Sequence, residues 1–181
     1  MRPRVFIPGW GGSGPDHWQT VWQGQQRGAR RVELPDWFNP EPDLFVAAID
    51  RTVREVVAAT GQPPVLIAHS LACVAVAAWA ARHRAPVAGA LLVAPADPER
   101  ADAAAVVRAF APVPLGRLPF ASRVVVSDDD PYVSLERARV FATAWGAELE
   151  LVPGARHINT ASGHGAWPEG LAILRQVVAR A

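Results

Sequence analysis

Val65-Leu66-Ile67-Ala68-His69-Ser70-Leu71-Ala72-Cys73 runs from a buried-strand composition straight into a helical one, with a single hydroxyl at the junction. Four apolar residues without a charge suit a central strand covered on both faces, and the Ala-rich stretch that follows suits a helix folded back onto it. Outward from this unit the alternation repeats: the strand candidates are Arg4 to Pro8, Arg31 to Leu34, Pro64 to Ala68, Val87 to Val93, Ser122 to Ser127 and Glu148 to Val152. Between them lie segments at helical spacing. In Asp43 to Thr60, Phe45, Ile49, Val53, Val56 and Val57 share one face, and a last helix carries Leu171, Leu174 and Val178. The expected fold is α/β, a three-layer α/β/α sandwich around a mostly parallel sheet.

The 181 residues suit a single domain spanning 1–181. Half of them are hydrophobic and 19% are charged, enough apolar burial to offset the ordering entropy of one core. One stretch is irregular, a Pro-rich insert at about 94–120 with a short helical piece around Asp102 to Phe110; inserts of this kind often shape a pocket. The formal charge is +1, and the eighteen basic residues, all Arg, are scattered, so neither a nucleic-acid surface nor a polybasic membrane anchor is expected. One cysteine excludes an internal disulfide, and the strand-like stub after Met1-Arg2-Pro3-Arg4 is too short for a signal-peptide core. A cytoplasmic protein with no membrane span is the expectation. The oligomeric state has no signature in the chain.

Ser70 sits where a nucleophile elbow belongs, a tight strand-to-helix turn that lifts a hydroxyl out of the sheet and sets the next backbone N–H, that of Leu71, near the helix N-terminus. The usual pattern is G-x-S-x-G; here Ala68 and Ala72 replace both glycines. The bland alternative is that Ser70 is an N-cap. A nucleophilic serine needs a base and a carboxylate that orients it, supplied from other strand ends. Ser127-Asp128-Asp129-Asp130-Pro131 follows an apolar strand. Asp130 is the chosen acid because Pro131 biases its backbone to an extended form, whereas Asp128 and Asp129 read as turn or N-cap formers for a helix beginning near Ser134. Asp97, after the preceding strand, is the rival acid. His157, in the loop after the last strand, is the expected base, with His164 as competitor; His69 reads as local packing or hydrogen bonding beside the nucleophile.

The loop after the first strand, Pro8-Gly9-Trp10-Gly11-Gly12-Ser13-Gly14, is the expected source of a second oxyanion donor, the backbone N–H of Trp10 or Gly11. The same residues support a rival. Gly9, Gly11 and Gly14 satisfy G-x-G-x-x-G, with Asp36 placed as a ribose-binding acid would be, although Trp10 and Pro15 suit a pyrophosphate turn poorly. No metal-ligand spacing occurs, and Cys73, one turn into the helix, reads as a buried structural thiol. Of seven tryptophans, Trp10, Trp18, Trp37 and Trp167 fall in or near segments that should surround the site, where they either wall an apolar pocket or pack in the core. Gly11, Trp18, Trp37, His69 and Trp167 are the expected pocket residues.

Taken together, Pro8-Gly9-Trp10-Gly11-Gly12-Ser13, Leu34-Pro35-Asp36-Trp37, Ala68-His69-Ser70-Leu71, Asp129-Asp130-Pro131-Tyr132-Val133 and Gly154-Ala155-Arg156-His157-Ile158-Asn159 resemble the small serine hydrolase family of the α/β-hydrolase fold that includes retinoblastoma-binding protein 9 and its bacterial relatives. The resemblance runs nearly end to end. It implies a compact fold without a large lid, a nucleophile at Ser70, an acid at Asp130 and a base at His157. It also implies a poorly defined natural substrate; the expectation is a small-molecule acyl substrate and no cofactor. Ala72 stands where relatives usually carry glycine, and no L-x-C-x-E retinoblastoma-binding motif occurs. A different class of function stays open beside hydrolysis: a binding module that keeps the pocket without efficient chemistry, made plausible by the two elbow alanines.

Overall fold

A computed structural model describes residues 2–180; Met1 and Ala181, the ends of the expected domain, lie outside the described residues. Six parallel strands form one sheet in the order β2-β1-β3-β4-β5-β6, with β1 Arg4–Ile7, β2 Arg30–Arg31, β3 Val65–His69, β4 Gly89–Val93, β5 Ser122–Val126 and β6 Glu148–Leu151. The helices are α1 Trp18–Gly24, α2 Pro42–Thr60, α3 Leu71–Arg82, α4 Ala105–Arg108, α5 Leu135–Trp145 and α6 Pro168–Arg180.

Side chains alternate across the strands and so divide the core in two. Val5, Ile7, Leu66, Ala68, Leu92 and Val124 point toward α2, α3 and α5. Phe6, Val65, Ile67, Leu91, Val93 and Val125 point toward α1 and α6. The expected α/β/α layering is therefore observed. All five residues of β3 and of β4 are buried, the signature of central strands, whereas β6 lies at an edge and three of its four residues are exposed.

The helix α2 follows its apolar stripe, with Pro42 at the start and Gly61 closing it at φ 66°, its N–H bonded to the Val57 carbonyl. Three expectations need correction. The second strand, expected over Arg31 to Leu34, ends after two residues and one further bond from the Val32 N–H to the Phe6 carbonyl; Leu34 then turns in to pack on the core. The helical piece in the insert shortens to Ala105–Arg108, flanked by turns whose carbonyls at Ala101 and Ala103 are taken by the Arg108 side chain at 2.9 Å, while Glu99 accepts from the Val113 N–H at 2.8 Å. Helix α5 is capped by Ser134 itself, whose Oγ accepts from the Arg137 N–H, so Asp128 and Asp129 are not its caps.

Strand β2 lies on one side of β1 and β3 on the other, so the winding direction reverses between β1 and β3. At such a switch point the loops at the carboxyl ends diverge and leave a crevice. Ser70, at the end of β3, opens into it.

Candidate active site

Ser70 holds φ 58° and ψ −125°, with its N–H bonded to the Val93 carbonyl at 2.9 Å. Its Oγ makes no capping bond to α3, so the N-cap reading does not hold. The hydroxyl instead faces the His157 ring, 2.9 Å from Nε2. On the other side of that ring, Nδ1 lies 3.0 and 2.9 Å from the two carboxylate oxygens of Asp130. A carboxylate only accepts, so Nδ1 carries the proton and Nε2 is the acceptor for the serine. Asp130 is itself oriented by the Tyr132 N–H on Oδ1 at 2.8 Å, an Asx-type turn across Pro131. Asp130 and His157 are buried.

The elbow alanines fit: Ala68 and Ala72 are fully buried and neither has a positive φ. Close approach is demanded elsewhere. A Cβ on Gly9 would lie 2.8 Å from both the His69 carbonyl oxygen and the Ser70 Cβ, so the loop after β1 touches the elbow through a residue that has to be glycine. Within that loop the Gly11 N–H is committed to the Trp37 carbonyl at 2.8 Å and the Gly12 N–H to the Gly9 carbonyl at 3.0 Å. Of the two oxyanion candidates there, only the Trp10 N–H is left unused by those bonds. The Leu71 N–H opens α3 and belongs to its unpaired first turn.

Three histidine rings cluster behind the serine. His69 is 4.9 Å, centroid to centroid, from both His157 and His17. Its Nε2 lies 2.9 Å from the His157 carbonyl, an acceptor, so that nitrogen is the protonated one. Burial, with the neighbouring His157 and His17 adding to it, holds His69 well below the usual imidazole range and keeps it neutral. His17, whose Nδ1 accepts from the Gln19 N–H at 3.2 Å, is lowered to about 4 by burial, with Arg31 and His157 adding.

A cleft of about 380 Å³ surrounds Ser70, lined in part by Trp10, His69, Leu71 and His157. The tryptophan expectation is largely corrected. Trp10 alone of the four lines this cleft, half-exposed, its indole N–H on the Phe38 carbonyl at 2.8 Å. Trp18 and Trp167 are core residues packed with Trp22, and Trp37 packs edge-on against Phe45. Ring-on-ring packing holds Trp18 and Trp167 in the core, and Trp37, partly buried, packs against it, each removing a large apolar area from water. Gly11 does not line the cleft; Gly12 does. The walls that the sequence reading did not name come from the insert, through Ala96, Ala103, Ala104, Val107 and Arg100, and from Tyr132 and Asn159. Their signal was the insert itself, not any residue type within it.

The rivals have other partners. Asp97 lies in the cleft, but its carboxylate holds the Glu99 N–H at 3.1 Å and faces Arg137. His164 bonds Ser162 and packs edge-on to Trp167. Cys73 is fully buried, and burial pushes its thiol up, away from thiolate chemistry. Asp36 folds back on its own loop, accepting from the Phe38 and Asn39 N–H groups and the Asn39 side chain, and α1 begins four residues after Gly14 instead of fusing with the glycine turn. The dinucleotide reading loses both its acid and its helix terminus. Among the described residues no group of three or more His, Cys, Asp or Glu is arranged to hold a metal ion, and no helix is long and apolar enough to cross a membrane.

Comparison with known proteins gives the same fold. A YdeN-like protein of Pectobacterium atrosepticum, assigned as a hydrolase, superposes with a TM-score of 0.84 at 30% identity, over 97% of this chain and 90% of that one. The ydeN gene product of B. subtilis gives 0.77 at 18% identity, over 99% and 100% of the two chains. Thermogutta terrifontis esterase 2 gives 0.68 at 20% identity, over 99% and 83%. No curated protein matches the sequence. The model of the serine hydrolase family matches residues 4–176. With nearly its whole length covered by that match, on an α/β-hydrolase fold, the chain belongs to the serine hydrolase family.

Proposed function

We propose that this hydrolase cleaves a small ester, thioester or amide through an acyl-enzyme on Ser70. One observation carries the reading: an unbroken hydrogen-bonded line from Ser70 Oγ through His157 to Asp130, opening into a cleft. Ser70 Oγ attacks the acyl carbonyl carbon while His157 Nε2 takes its proton, and Asp130 stabilises the imidazolium that forms. The carbonyl oxygen becomes an oxyanion and accepts from the N–H groups of Leu71 and Trp10. His157 then passes its proton to the departing alcohol, thiol or amine as the bond to the acyl carbon breaks. Water, deprotonated by His157, attacks the acyl-enzyme, and its proton returns to Ser70 Oγ as the carboxylic acid leaves.

The test is labelling of the purified protein by a fluorophosphonate, which reports an activated serine without requiring the substrate. Labelling that disappears in Ser70→Ala, together with ester turnover falling by about 10³-fold or more in that variant, is the expected result. A folded protein that takes no label would instead be a binding module.

A further inference from the structure

The loop that carries His157 is strained on both sides of the ring and tied down at most of its backbone groups. Arg156 has φ 51° and Ile158 φ 47°, left-handed values that residues with a side chain adopt only when their surroundings impose them. The surroundings are visible. The Gly154 N–H donates to Asp128 Oδ1 at 2.8 Å, the Ala155 N–H to Ser127 Oγ at 2.9 Å and the Arg156 N–H to Asp129 Oδ1 at 2.7 Å. Ser127 Oγ donates in turn to Asp129 Oδ1 at 2.6 Å, so two of the three acceptors are locked to each other. Past the loop's apex, the His157 carbonyl accepts from His69 and the Ile158 carbonyl from the Trp18 indole at 2.9 Å.

From this geometry we infer that Ser127, Asp128 and Asp129 form a cradle of side-chain acceptors that sets the height and direction of the His157 imidazole, with Asp129 as its principal positioning residue. The inference rests on the assignment of His157 as the base acting on Ser70. Three consecutive residues at the end of β5 meet three consecutive N–H groups, and the next residue, Asp130, meets the imidazole. One strand end therefore places both the ring and the backbone that bears it. Near-attack geometry is sensitive at the scale of 1 Å, and a loop released from left-handed strain has room to move by that much. Asp129 touches neither substrate nor ring, and works only through the Arg156 N–H and Ser127. Those two bonds, the Ser127 one first, also hold its carboxyl below the ordinary range.

The test compares Asp129→Ala and Asp129→Asn with the unaltered protein, using p-nitrophenyl acetate turnover per fluorophosphonate-reactive site and the labelling rate itself. Asparagine keeps the Oδ1 acceptor and removes the charge; alanine removes both. Asp129→Ala should lower kcat and the labelling rate about 10- to 100-fold with KM within about twofold, and Asp129→Asn should recover to within about threefold. A merely structural role would change the number of reactive sites, not the turnover of each. Should Asp129→Ala not fold, Asp128→Ala, which removes one bond at an exposed position, decides through the same split, with kcat lowered about three- to tenfold. Equal turnover per site in the alanine variants, or an asparagine variant as slow as alanine, overturns the cradle while leaving the Ser70 reading intact. An unaltered protein that takes no label overturns both.

Discussion

Ser70, at φ 58° and ψ −125°, occupies a conformation that costs on the order of 1–3 kcal/mol, and the junction around it maintains that strain by leaving no loop between β3 and α3. The residue types on either side are readable as small; that the indispensable glycine is Gly9, from the loop after β1, is not, because a 2.8 Å approach between segments sixty residues apart leaves no mark on either sequence. The choice among acids shows the same division. Asp130 was selected by a local rule, the proline that follows it, and the structure brings it to His157; Asp97 is taken by Arg137. Asp130→Asn should therefore lower kcat about 10³- to 10⁴-fold by favouring the wrong imidazole tautomer, while Asp97→Asn, weakening only a contact of the insert, should cost less than about tenfold. Turnover of a p-nitrophenyl ester by the two variants gives the ranking, and the reverse order would reassign the acid.

At the scale of elements, α1 illustrates what periodicity conveys and what it misses. Its tryptophans were expected in part around the cleft, yet Trp18 and Trp22 face α6 and reach across to the Ile158 and Ala166 carbonyls. The helix thereby holds the segment that follows His157. His17, which showed no sequence signal, caps α1 and contacts His69. Its value of about 4 in the folded chain lies below the ordinary 6.5, so between these two pH values the unfolded chain binds a proton that the folded chain refuses. Stability is then complete above about pH 6.5 and falls as pH drops toward 4, by about 3 kcal/mol at most for this group, with His69 acting in the same direction. His17→Asn keeps an acceptor for the Gln19 N–H and removes the titration. Urea unfolding midpoints at pH 7 and pH 4.5 should differ less in that variant than in the unaltered protein; an unchanged difference would remove His17 as the source.

For the molecule as a whole, the sheet places the candidate residues Ser70, Asp130 and His157, and the insert between β4 and β5 lines the cleft they open into. Its apolar residues Ala96, Ala103, Ala104 and Val107 face the cleft, while Phe110, Val113 and Leu118 are buried in the core beneath α2, α3 and α5. Arg100 ties the insert to the acid loop, pairing with Asp102 and donating to the Pro131 carbonyl. Cleft shape is thus carried by a segment separate from the proposed chemistry. Val107→Trp should narrow the acyl space, reducing kcat/KM for p-nitrophenyl hexanoate by about tenfold relative to the acetate, with the rate of labelling by a small fluorophosphonate nearly unchanged. Equal losses for both esters would place the acyl group elsewhere.

The amino-acid sequence by itself determined the layered α/β architecture, the strand-to-helix turn at Ser70 and the candidates Asp130 and His157. These depend on local patterns: apolar runs, a turn between two periodicities, and a proline that restricts its neighbour. Tertiary structure alone decided which tryptophans are core, how the insert lines the cleft and that Asp128 and Asp129 hold the loop of His157 instead of capping α5. Each of these is a contact between segments far apart in the chain, and hydrogen-bond complementarity at 2.7 to 2.9 Å exists only once the sheet has brought β5 and the loop after β6 side by side.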